Sequence, residues 1–163
     1  MGAVSAPWYG QDPQWWVPFE ADARVRYGSD LKVAHHLNQI VYRVCVDVLG
    51  RPGKTPVTLT FYGVPPYFCY GLQPRDYPLV HADLGAQSPH RLPGDALCLY
   101  KPVDPPERRW RAEDGLLALI NLTRRHLLLE DGWRLTGGHG TGGKRKGVWA
   151  GDESHGFTEE DAA

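Results

Sequence analysis

Two runs of alternating side chains, residues 40–49 (IVYRVCVDVL) and 56–62 (PVTLTFY), constrain the fold of this chain most. Successive side chains of a strand point to opposite faces. Tyr42, Val44, Val46 and Val48 therefore share one face, and Val41, Arg43, Cys45 and Asp47 the other. The valine-rich face is the one to bury, which leaves Cys45 beside charged neighbours in a structural role. Arg51-Pro52-Gly53-Lys54 between the runs is a turn, so the two strands form a hairpin. Residues 77–84 (YPLVHADL) read as a third short strand. The connection before it, broken by Pro65, Pro66, Gly71 and Pro74, is irregular and packed through Tyr67, Phe68 and Tyr70, with Cys69 inside it. Residues 113–130 carry the one clear helical pattern. Leu116, Ile120, Thr123 and Leu127 form a stripe that Leu117, Leu119 and Leu128 widen, and Asp131-Gly132 is the predicted end. A helix packed on a sheet makes the fold class α+β.

At 163 residues the chain is one domain's worth, enough to bury roughly two-thirds of the surface its unfolded form exposes. Its net charge of −1 gives no electrostatic case for a nucleic-acid partner. Lys144-Arg145-Lys146, in the glycine-rich stretch after Trp133, reads as a solvated loop tip. The first twenty residues lack a basic, then apolar, secretory pattern, and no window reaches the length of a membrane span. Three cysteines, Cys45, Cys69 and Cys98, without a Cys-x-x-Cys pair argue against a disulfide framework and a structural zinc. Cys69, Cys98, His81 and His90 lack the paired spacing of a metal site. The expectation is a cytoplasmic protein with no metal and no cofactor.

The chemistry concentrates in residues 90–110, HRLPGDALCLYKPVDPPERRW. A histidine and a Pro-Gly turn precede Cys98; a proline-rich loop, Trp110 and the predicted helix follow. A thiolate is a strong nucleophile toward carbonyl carbon, so this setting marks Cys98 as a candidate nucleophile.

The order His90, turn, Cys98-Leu99, Trp110, helix resembles the active-site region of ubiquitin-conjugating (E2) enzymes. Residues 148–156 (VWAGDESHG) look like the tail of bacterial E2-like proteins, and Asp76-Tyr77-Pro78 is similar to the Tyr-Pro segment that follows the family's β-meander. The resemblance implies an E2 (UBC) fold over residues 20–157, an antiparallel meander packed against helices with the catalytic cysteine in a loop before a long helix. Residues 1–19 are then an aromatic, proline-rich segment packed on the domain, and 158–163 a disordered tail.

By the same resemblance, Cys98 accepts a ubiquitin-like protein as a thioester from an E1-like activating enzyme and passes it to a protein target. Bacterial relatives of this kind are associated with those partners, and often with a deubiquitinase-like peptidase, in gene clusters that include antiphage systems. His90 matches the first residue of the family's His-Pro-Asn motif, as loop brace or direct participant, but His90-Arg91-Leu92-Pro93 supplies no counterpart of the asparagine. His155, in the tail, is a second candidate to assist Cys98. Asp104 and Glu107 are candidates to attract an incoming lysine, and Trp110 matches the tryptophan that packs beneath the catalytic loop. Two other readings stay open: a non-catalytic E2 variant that only binds, and a cysteine hydrolase of thioester or isopeptide bonds with His90 or His155 as base.

Overall fold

The computed structural model describes residues 7–140 and 146–150. His155, the expected disordered tail at 158–163, and Lys144 and Arg145 of the basic run lie outside the described residues. Helix α1 (Pro13–Tyr27) leads into strands β1 (Lys32–His35), β2 (Gln39–Val46), β3 (Thr55–Tyr62) and β4 (Leu79–His81), and the long helix α2 (Leu116–Leu135) follows. The strands form one sheet in the order β1-β2-β3-β4, every pair antiparallel. The architecture is α+β.

The hairpin register explains the core. Ile40 faces Phe61, Tyr42 faces Leu59 and Val44 faces Val57, and all six are buried. Cross-strand pairs of this kind stack apolar groups on one face. Arg43 and Cys45 point the other way and are exposed. β4 pairs only with Thr58, Leu59 and Thr60, so Pro56 needs no N–H toward that neighbour. The inner face is covered by Phe19 and Ala23 of α1 and by Leu116, Leu119, Ile120 and Leu127 of α2, in one continuous core. Each such side chain contributes about 1.5–3 kcal/mol on full burial. Arg51 of the β2–β3 turn fastens that end of the sheet to α2, with Nε 2.7 Å from Asp131 and Nη2 2.7 Å from Asp83.

Helix α1 runs without a break across residue 20, where composition places the start of the domain. Asp12 caps it by accepting the Gln14 N–H at 2.9 Å, and Pro13 sits where no intrahelical N–H is needed. Phe19 stacks on Trp15 and meets Phe61 edge-on. The aromatic N-terminal residues therefore pack on the domain through a helix rather than as an irregular segment. The third strand is shorter than the alternation of 77–84 indicates, only Leu79–His81. α2 starts after a 3₁₀ turn at Ala112–Asp114 and passes through Gly132 to Leu135. Burial of Trp133, 5 % exposed, outweighs the modest helix penalty of the glycine before it. No helix among the described residues is long and apolar enough to cross a membrane.

Candidate functional site

Beyond β4 the chain doubles back in a tight turn that brings His90 and Cys98 onto adjacent strands. Arg91 and Leu97 form an antiparallel bridge. The Leu92 N–H donates to the Ala96 carbonyl at 2.8 Å, and the Cys98 N–H to the His90 carbonyl at 3.1 Å. Gly94 and Asp95 hold the bend at positive φ, 78° and 63°, a conformation that glycine adopts freely and aspartate tolerates. The Leu97 N–H donates to the Val80 carbonyl at 2.8 Å, so this small ladder continues the sheet from β4. The Leu-Pro-Gly-Asp sequence thus sets the spacing that joins a histidine to the cysteine.

A buried ionic cluster locks the turn to α2. The guanidinium of Arg91 donates Nε–H to Glu130 Oε1 at 2.9 Å and Nη2–H to Oε2 at 2.7 Å, while Nη1 reaches the Ala82 carbonyl at 2.8 Å. This two-point geometry is the strong form of an arginine–carboxylate pair. Glu130 is fully buried and also meets His126 Nε2 at 3.1 Å. Burial by itself raises the Glu130 carboxyl, but the hydrogen bonds from His126 and Arg91 more than offset it and hold the group down at about 2. Glu130 is an anion throughout the working pH range.

The rings of His90 and His126 share one aromatic neighbour, Trp149, at 4.2 and 5.2 Å between centroids, and lie 6.5 Å from each other. Trp149 is set by the two residues before it: the Gly147 N–H donates to the Gly138 carbonyl and the Val148 N–H to Thr136 Oγ1, each at 2.7 Å. Cys98 itself is 1 % exposed. Tyr77 lies close enough to interact with the sulfur, and burial first, then Cys98, Tyr70 and Cys69, push its phenol well above the usual range. Tyr77 is therefore a neutral O–H at any working pH.

The other sequence-derived candidates separate. Glu107 is exposed on the 3₁₀ turn Pro106–Arg108 and, with Trp110, lines a cavity of about 270 Å³ that begins at Leu99 and Tyr100, directly after Cys98. Trp110 is 5 % exposed, donates its Nε1–H to the Gly115 carbonyl at 3.0 Å, and packs against Phe19 and Phe61. Asp104 accepts the Lys101 N–H at 3.2 Å within a turn and does not line the cavity. His155 lies outside the described residues. No three His, Cys, Asp or Glu side chains among the described residues are placed to hold a metal ion.

Sequence reasoning missed Arg91, His126, Glu130 and Trp149. A signal existed for one of them. Glu130 falls three residues after Leu127, on the very stripe that α2 buries, and a carboxylate there requires cationic partners. Chemically, the arrangement offers a thiol and an imidazole fixed on one rigid turn, with a cavity beside them. No protein-family model, no curated protein and no solved structure matches this chain.

Proposed function

We propose that the chain is an E2-like carrier with a UBC-type fold, charged on Cys98 with a ubiquitin-like protein by an E1-like enzyme and discharging it to a protein target. The setting is a cytoplasmic bacterial pathway of the ubiquitination type, such as those in antiphage gene clusters with a deubiquitinase-like peptidase. One observation carries the reading: Cys98 pairs with His90 in the turn leaving the last strand of an antiparallel meander, and the chain then passes buried Trp110 into a long helix. In charging, the Cys98 thiolate attacks the thioester carbonyl and the activating enzyme's thiolate leaves. In discharge, an acceptor amine attacks the carrier thioester and loses a proton, and the Cys98 thiolate departs.

The test is incubation with ATP and with the activating enzyme and modifier encoded in the same gene cluster. A thiol-sensitive adduct should form on the wild type, on Cys45→Ala and on Cys69→Ala. It should be absent from Cys98→Ala, and an undiminished adduct there overturns the assignment. The near-complete burial of Cys98 favours a second reading, a non-catalytic E2 variant that binds the modifier. That reading requires unchanged modifier binding with no adduct on any cysteine.

A further inference from the structure

The cavity beyond Cys98 has a cationic wall whose principal member is unsatisfied. Arg109 lines it, and its Nε and Nη1 atoms are shut off from solvent without a hydrogen-bond partner among the described residues. A guanidinium cannot give up its proton, so buried N–H donors of this kind remain a standing demand for an acceptor. Arg125, from α2, stands on the same wall, and so does Arg108. The counter-charges are few: Glu107 at the exposed rim, and Glu130, which is already committed to Arg91 and His126. The remaining lining is apolar or aromatic, from Leu99, Trp110, Leu122 and Trp149.

We infer that this cavity is a binding site for a peptide side-chain carboxylate, received by Arg109 and set one to two residues past Cys98. The aromatic and leucine walls suit the carbon stem of an aspartate or glutamate. The buried N–H groups of Arg109 suit its charged end, and charge-assisted hydrogen bonds to carboxylate are the strong ones. The volume, about 270 Å³, lies below that of a drug-sized pocket, which matches one or two side chains. On the carrier reading, on which the substrate side of this inference rests, an acidic residue near the end of the delivered polypeptide would enter the cavity as its carbonyl reaches Cys98. The chain also has carboxylates of its own close behind Trp149, at Asp152 and Glu153. The chemistry is the same for both sources.

The experiment uses the full uncharged chain and two blocked peptides, acetyl-Gly-Asp-Glu-Gly-amide and its Asn-Gln analogue, titrated by calorimetry and tryptophan fluorescence. Each is added to the wild type and to Asp152→Asn/Glu153→Gln. The acidic peptide should bind at least about tenfold tighter than the neutral one. Preference in the wild type assigns the site to an incoming peptide, and preference in the neutralised chain alone assigns it to the chain's own carboxylates. Arg109→Met should erase the preference and Arg109→Lys restore part of it, with melting curves showing that both remain folded. Equal binding of the two peptides by both chains overturns the inference, as does a preference that survives in folded Arg109→Met. Because nothing here requires a thioester, loss of charging on Cys98 and loss of peptide preference are separate results.

Discussion

Glu130→Gln is the sharpest test of how the site is held. The carboxylate is fully buried, with Arg91 bound at two points, His126 at 3.1 Å and Arg134 Nη1 at 3.5 Å. Its carboxyl is held at about 2 against an ordinary 4.5, a difference worth about 3 kcal/mol in favour of the folded state when the group is ionised. Breaking a buried pair by removing one partner costs about 3–5 kcal/mol, because the other charge is stranded. A glutamine has the right shape, but its NH₂ meets a guanidinium donor. The two routes agree on about 3–5 kcal/mol at pH 7, a fall in melting temperature of about 6–20 °C for a chain of this length.

The sign with pH follows from the lowered value. The contribution is fully present above about 4.5 and is lost as pH falls toward about 2, where the folded carboxylate is protonated. Urea unfolding followed by tryptophan fluorescence should therefore show a gap between wild type and variant that is constant from pH 7 to about 5 and closes by about pH 2. A gap below about 1 kcal/mol at pH 7, the value of an exposed ion pair, refutes the reasoning. So does one that persists undiminished to pH 2. Since Arg91 adjoins His90 and carries the turn, the variant should also alkylate faster at Cys98 in the native state. That is measured by mass spectrometry of the Cys98 peptide, because exposed Cys45 reacts first.

Two other outcomes follow from the same geometry. Trp110→Ala removes a buried ring that touches Phe19 and Phe61 and should cost about 3–5 kcal/mol in a denaturant titration; a variant of wild-type stability that loses only activity would instead make Trp110 a partner contact. His90→Ala, folded, should still accept the modifier but discharge it to an amine about 10–10³-fold more slowly, measured by following the two half-reactions apart; equal slowing of both would reduce His90 to a brace of the turn.

What could be read from sequence and what could not divides along physical lines. The β2–β3 hairpin was legible because its inner and outer faces differ sharply, valines and Tyr42 against Arg43 and Cys45. α2 was legible because its stripe repeats at helical spacing. α1 was not: Trp15, Trp16, Val17, Pro18 and Phe19 are contiguous rather than periodic, Pro18 lies inside the helix, and one of its three buried residues is Glu20. β1 is an edge strand whose outer positions, Lys32 and His35, are exposed, so it carries no alternation to detect. At the site, the turn and its cysteine stood out from local residues. The cluster that anchors them did not, because Arg91 and Glu130 lie 39 positions apart and each alone resembles an ordinary surface charge.

The anchoring also narrows what can assist the chemistry at Cys98. An acyl group on the sulfur develops negative charge on its oxygen during transfer and needs donors aimed at it. The N–H of Cys98 is already given to the His90 carbonyl, and that of Leu97 to the Val80 carbonyl, so these two backbone donors are spent in the ladder. Arg91, which follows His90 where the E2 motif places a proline, spends its guanidinium on Glu130, Ala82 and Asp95. It stiffens the turn through a side chain instead of a ring, and cannot turn toward the sulfur without abandoning Glu130. Among the described residues, the side chains left beside Cys98 with a proton to offer are the His90 imidazole and the neutral phenol of Tyr77, kept protonated by its burial. The missing asparagine thus shifts the oxyanion role toward side chains on the turn and the tyrosine before β4. A discharge defect in His90→Ala without a charging defect would be the kinetic mark of that shift.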